Sequence, residues 1–199
     1  MIAAGERRDA NPSGRASGPV HPVWLIRHAA TPWTGTRWCG RADPDLTAAG
    51  RRAADALAVQ LAPELPADAA IWSSPARRAQ ATATAIGRAG EHVVVVEDLL
   101  AEVDFGRVEG LTWTELSTAE PDLVAALVGG GPIDWPGGET AGALAARAET
   151  MAGRIVRARR HHAVVVVSHG AFIHALARSL GLGGDLAAVL PCGVVRLAP

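Results

Sequence analysis

Lysine is missing from this 199-residue sequence, whose 19 basic residues are all arginine. Without lysine there is no Walker-type phosphate loop to build. Uniform arginine together with abundant alanine also points to a compositional bias, so a role for any one arginine must be argued from its position. Cysteine is nearly as scarce. Cys39 and Cys192 are too few for a disulfide framework and lack the paired spacing of a zinc site, so two reduced thiols and a cytoplasmic setting are expected. No run is long and apolar enough to span a membrane or to form the core of a secretory leader. The net charge is only −1, which gives no global field to attract nucleic acid or an anionic membrane, so an anionic partner must be met by a local site. Also absent are an HExxH zinc helix and a GxSxG nucleophile turn. The glycine run at 129–131 does not open the helix of a dinucleotide-binding βαβ unit.

What is present reads as one globular domain, since the chain is long enough for one sizeable core and too short for two. Residues 1–20, rich in Gly, Pro, Ser and charge, are expected to form a disordered tail, and 21–199 the domain. From position 23 short apolar runs alternate with helical patterns. VWLIRH is followed by an amphipathic stretch from Thr47 to Leu61, then AAIWSS, then an Ala-rich helix starting near Pro75. VVVV at 93–96 and VVVVS at 164–168 read as strands buried on both faces of a mainly parallel sheet, and GVVRL near the end as one more strand. The stretch 102–138 reads as loops and short helices over that sheet. A helix from about Glu139 to Arg160 follows, with an acid in its first turn and arginines in its last, in the order that suits the macrodipole. The expected fold is α/β, a three-layer sandwich with helices on both faces of the sheet.

Three motifs then fall at carboxyl ends of strands: Arg27-His28, Ser73-Ser74-Pro75 with Arg77 and Arg78, and Ser168-His169-Gly170. Ligands of open α/β sheets bind outside that edge, so these residues are expected to converge. In the second motif Ser74 suits an N-cap and Pro75 the first helical position, which places two arginines at the helix end that disfavours cations, at a cost of about 0.3 to 1 kcal/mol. Two solvated arginines would tolerate that; a bound anion facing both the helix amides and an arginine would resolve it. Gly170 would let backbone approach an anion closely. The other five histidines, His21, His92, His161, His162 and His174, read as surface, helix-end or packing residues.

LIRHAATPW, SSPARRAQATA, LLAEVDFGRVEG, PGGET and VVVVSHG, in this order, resemble the histidine phosphatase superfamily, the group that contains the cofactor-dependent phosphoglycerate mutases. The likeness covers essentially everything from position 23 onward. It implies a phosphoglycerate mutase-like fold and a metal-independent phosphoric monoester hydrolase needing no cofactor. By position it implies His28 as the phosphorylated nucleophile at the exposed sheet edge, Arg27 and Arg78 as phosphate ligands, His169 as the second pocket histidine and Glu102 as the proton donor. Thr34 and Gly170 would contact the phosphoryl group. Arg77 is offset by one from the motif position and receives no role. Ala29 replaces a frequent glycine, Thr34 a frequent asparagine and Ala76 a common leucine.

The chemistry is coherent on its own terms. Arginine offers paired donors that match two phosphate oxygens, and an imidazole nucleophile must be neutral, with a partner on one nitrogen leaving the other free. Asp104, two residues from Glu102, is the competing acid. The substrate expected is a small phosphorylated metabolite, with neither nucleic acid nor membrane as partner. Two rival functions stay open: mutase-type return of the phosphoryl group to a second hydroxyl, and a non-catalytic phosphate-binding module. The module has no need of the acid, and no long basic insertion suggests a mutase. Trp33, Trp38, Trp113 and Trp135 lie in expected loops near the motifs, where they either line the mouth or pack the loops onto the sheet.

Overall fold

Alternation of buried side chains sets the architecture of residues 19–182 and 189–199, the part of the chain described by the computed structural model. Five strands form one sheet: β1 (Val23–Arg27), β2 (Ala70–Ser73), β3 (Val94–Val96), β4 (Val164–Ser168) and β5 (Val194–Leu197). Their order is β3-β2-β4-β1-β5, parallel throughout except for β5, which pairs antiparallel with β1. Six helices accompany them: α1 (Ala48–Leu61), α2 (Arg77–Gly90), α3 (Trp113–Ala119), α4 (Pro121–Gly129), α5 (Ala141–Ala158) and α6 (Gly170–Ser179).

Successive residues of a strand face opposite sides of the sheet. Trp24, Ile26, Ile71, Val165 and Val167 pack on the side of α1 and α2, while Val23, Leu25, Val164 and Val166 pack on the side of α5 and α6. The result is the three-layer α/β sandwich that the periodicity predicts. Each large side chain so buried contributes about 1.5 to 3 kcal/mol. Thr47 caps α1 by accepting from the Gly50 amide at 2.8 Å. Gly50 has to be glycine, because a Cβ there would stand 2.2 Å from the Ala30 carbonyl oxygen and push α1 away from the strand-end loop.

Two expectations are corrected. The 93–96 valines are not buried on both faces: β3 is an edge strand, and Val93, Val95 and Val96 are exposed. A continuous valine run looks alike at a sheet's centre and at its edge, and only the neighbours decide. In addition α5 has no acid in its first turn, because Thr140 caps it by accepting from the Ala143 amide and Glu139 lies before the cap. Glu139 instead grips the Arg147 guanidinium with both oxygens, at 2.9 and 2.7 Å.

The stretch 102–138 carries a third apolar cluster of Val103, Phe105, Val108, Leu116, Leu123 and Trp135. Its α3 starts in a capping box between Thr112 and Glu115. The expected tail falls outside the described residues except for positions 19 and 20. Among the described residues no helix is long and apolar enough to cross a membrane.

Candidate active site

Register brings the motifs together. Arg27 pairs with Ser168 and Ser73 with Val167, so the ends of β1, β4 and β2 lie side by side. The backbone amides of His28 and Ser74 donate to the carbonyls of Ser168 and Val167, which carries the alignment one residue past each strand. The rings of His28 and His169 then meet edge to face with centroids 5.0 Å apart. His28 is 6% exposed, a buried residue rather than one of an open sheet edge.

The tautomers follow from the partners. His28 Nδ1 lies 2.7 Å from the Ala29 carbonyl oxygen, which can only accept, so Nδ1 carries the proton and Nε2 keeps its lone pair. Burial lowers the His28 pKa to about 3, assisted by the Arg78 and Arg27 charges and opposed by the Ala29 carbonyl and Asp43. Burial likewise holds His169 well below the usual range, with His28 and the nearby arginines acting in the same direction. Ser74 Oγ accepts from the Ala76 amide at 3.3 Å and stands 2.6 Å from His169 Nε2. Among the described residues Nε2 is the only acceptor within reach of the Ser74 hydroxyl proton, so that proton serves Nε2 and the His169 ring proton sits on Nδ1.

Ser74 is thus not the N-cap of α2. The helix starts at Arg77 after Ala76, which offers no side-chain cap, and the cap comes from a distant loop. Asp43 accepts from the Arg77 amide with Oδ1 at 2.9 Å and Oδ2 at 3.1 Å, and also pairs with the Arg77 side chain. An internal carboxylate therefore resolves the charge mismatch at Arg77, which points outward.

Arg78 behaves differently. Its buried guanidinium donates through Nη1 to the Ala42 carbonyl at 2.7 Å and through Nη2 to those of Gly40 and Cys39 at 3.0 and 3.3 Å. The amides of the same loop are taken by Glu109, which accepts from Gly40, Arg41 and Ala42 at 3.0 to 3.1 Å. A Cβ on Gly40 would stand 2.2 Å from the Val103 carbonyl oxygen, so only glycine lets this loop lie so close. Asp43 and Glu109, which hold the helix start and the loop around Arg78, are contacts that sequence reasoning misses. The sole hint is the place of Glu109 inside LLAEVDFGRVEG.

Glu102 sits on the first turn of α6. Oε1 accepts from the Val103 and Phe172 amides at 2.9 and 3.0 Å, and Oε2 from the Ala171 amide at 3.3 Å. Burial raises its pKa, and these amides, with Arg78, offset part of the rise. Asp104, by contrast, accepts from the Gly106 amide and pairs with Arg41. Glu102 lines the cleft around His28 and Asp104 does not.

That cleft, of about 170 Å³, is also lined by Arg27, Thr34 and Gly170, and by none of the other five histidines. The Thr34 hydroxyl accepts from the Thr31 amide and pairs with the Thr31 hydroxyl. Arg27 donates through Nη1 to the Val189 carbonyl at 2.8 Å. Of the tryptophans, Trp33 and Trp38 line the cleft, Trp135 is buried in the third cluster, and Trp113 is exposed at the start of α3. Among the described residues, the buried side-chain nitrogens and oxygens without a hydrogen-bond partner are Arg27 Nε, Arg78 Nε and His169 Nδ1. All three are donors and all three belong to this site. An unmet buried donor costs about 1 to 3 kcal/mol; of the three residues Arg27 lines the cleft, while Arg78 and His169 lie buried behind its lining.

The pattern of the histidine phosphatase superfamily (branch 1) matches residues 23–195. A bifunctional protein of Mycobacterium tuberculosis is 35% identical over 175 residues, which cover 81% of this chain and 48% of that protein, so the chain spans about half of its length. An acid phosphatase of the same organism is 37% identical over 158 residues, covering 78% of this chain and 73% of its own. Among solved structures, a mycobacterial glucosyl-3-phosphoglycerate phosphatase complexed with VO3 is similar with a TM-score of 0.81 at 28% identity, covering 89% of this chain and 91% of that one.

Proposed function

The chain belongs to the histidine phosphatase superfamily, branch 1, and from that membership we propose that it hydrolyses a small phosphomonoester through a phosphohistidine on His28, with no metal ion taking part. The reading rests above all on the three unpartnered donors, Arg27 Nε, Arg78 Nε and His169 Nδ1, grouped around an imidazole whose free nitrogen is Nε2. Phosphoryl transfer asks for little more than a placed nucleophile and fixed positive charge on the non-bridging oxygens.

In the first step His28 Nε2 attacks phosphorus, the bond to the leaving oxygen breaks, and the Glu102 carboxyl gives its proton to that oxygen. In the second, the Glu102 carboxylate takes a proton from the attacking water, the P–N bond breaks, and inorganic phosphate leaves neutral His28 behind. Depression of the His28 pKa keeps the nucleophile unprotonated, and elevation of the Glu102 pKa keeps an acid available. The direct test is to quench turnover in alkali, where phosphohistidine survives, and locate the phosphoryl group by mass spectrometry. Turnover with no phosphoryl group on His28 would refute the pathway. Unpaired Cys39 and Cys192 are in keeping with a cytoplasmic location.

Two further outcomes are expected. Activity should stay within about twofold after exhaustive chelation, because Arg27 and Arg78 already supply the positive charge a metal would bring. Loss on chelation with recovery on adding a divalent ion would contradict this. Arg78→Lys should lower kcat/KM by about 100-fold to 1,000-fold, the scale for losing one preorganised donor. An ammonium group cannot span the carbonyls of Gly40 and Ala42 while still presenting an Nε–H. Near-normal kinetics would make Arg78 a structural clamp for the 39–42 loop only.

A further inference from the structure

The cleft has an outer half that the phosphoryl chemistry leaves unused. Beyond His28 its walls are Trp33, Trp38 and Phe105, and a second recess of about 230 Å³ opens beside it, bounded by Gly35, Thr36, Arg37, Trp38 and Trp113. The two spaces adjoin along Gly35, Arg37 and Trp38, which line both. Trp38 is firmly placed. Phe105 and Trp135, both buried, pack against its ring with centroids 5.2 Å away in each case. The Trp113 ring stands 6.4 Å from Trp38 at an angle of 31°, and that residue is 50% exposed. A large aromatic left in water beside a catalytic cleft is the kind of surface that marks a binding region.

Charge narrows the choice of occupant. Arg37 donates to the Gly110 carbonyl at 2.6 Å and pairs with Glu115 at 3.4 Å. On the same loop Arg41 pairs with Asp104 at 3.3 Å. Arg27 and Arg78 are committed to the phosphoryl group under the mechanism above. Arg37, which lines both spaces, already has the Glu115 carboxylate beside it, so a second carboxylate there would compete with Glu115, whereas an uncharged ring would meet the aromatic faces of Trp38 and Trp113.

Building on the phosphatase reading, we propose that the leaving group is a planar, uncharged ring, the alcohol of an aryl or heteroaryl phosphomonoester, seated against Trp38 with Trp113 at its outer edge. Stacking of this kind is selective without a dedicated hydrogen bond, because every such ring has a π face.

Equilibrium binding of non-hydrolysable phosphonates tests the assignment independently of turnover. By calorimetry, phenylphosphonate should bind about tenfold tighter than methylphosphonate, and 3-phosphonopropionate, which carries a carboxylate, no tighter than the methyl compound. Trp113→Ala, a change at an exposed position, should cut the phenyl-to-methyl ratio by about threefold. Inorganic phosphate serves as the reference ligand. Phosphate binding with no ring preference, or tightest binding of the carboxylated compound, would overturn the leaving-group assignment alone. Failure of phosphate itself to bind would overturn both this assignment and the phosphohistidine reading.

Discussion

His28→Ala should reduce turnover by about 10,000-fold or more, the scale on which removal of a covalent nucleophile acts in other enzymes. Steady-state hydrolysis of an aryl phosphate measures it, and near-native activity would end the nucleophile assignment. The same variant carries a second, thermodynamic signature. Native His28 titrates near pH 3 and an unfolded histidine near 6.5, so between those values the unfolded chain binds a proton that the native protein refuses. Stability from this group is therefore complete above about pH 6.5 and is lost as pH falls towards 3, by about 2 to 3 kcal/mol at pH 4.5. His169 acts in the same direction. Glu102, with its raised pKa, acts oppositely, being most favourable below its unfolded value. Removal of His28 should make denaturant midpoints at pH 7 and pH 4.5 lie closer together than in the native protein. An unchanged gap would mean that His28 is not held neutral.

Glu102→Gln separates the two duties assigned to that carboxyl. Glutamine keeps one oxygen for the Val103 and Phe172 amides but sets an NH2 group against the Ala171 amide, so a stability loss of about 1 kcal/mol is expected. Chemically the variant has no proton to give and no base to offer. An alkyl phosphate, whose leaving oxygen needs protonation, should form phospho-His28 about 100-fold to 10,000-fold more slowly. An aryl phosphate with an acidic phenol should largely escape that step, since its phenolate departs unaided. Water attack still lacks its base, so the phosphoenzyme accumulates, and stopped-flow should show a phenol burst of about one per site followed by slow turnover. Equal losses on both substrates without a burst, with the burst found in Asp104→Asn instead, would transfer the role to Asp104.

Much of this molecule is legible in its sequence because the relevant signals are local. The buried valines of β4, the helix between Thr47 and Leu61 and the order of the motifs each depend on neighbouring residues, and so do the positions of His28 and His169 just past the ends of β1 and β4. Contacts across long separations stay hidden. Asp43 caps α2 from 34 residues away, Ser74 serves His169 at a separation of 95, and Glu109 holds the Gly40 loop at a separation of 69. Ser74 shows the problem most plainly: a serine before a proline is a good cap by local rules, yet a buried imidazole claims its hydroxyl. The partner that sets the His28 tautomer is the neighbouring carbonyl of Ala29, a group every residue carries and composition cannot reveal.

The third apolar cluster divides the protein in a way that matters to anyone redesigning it. The unpartnered donors of Arg27, Arg78 and His169 hang on the sheet and its helices, whereas Phe105 belongs to the cluster that includes Val103 and Trp135, and Trp38 packs against it. Substitutions confined to that cluster's cleft-facing surface should retune which ester is accepted while leaving the reaction in place. Glu109 is the exception. Its carboxylate joins the 102–138 region to the loop that clamps Arg78, so a library that includes this position would mix selectivity with catalysis, and one that spares it would keep them separable.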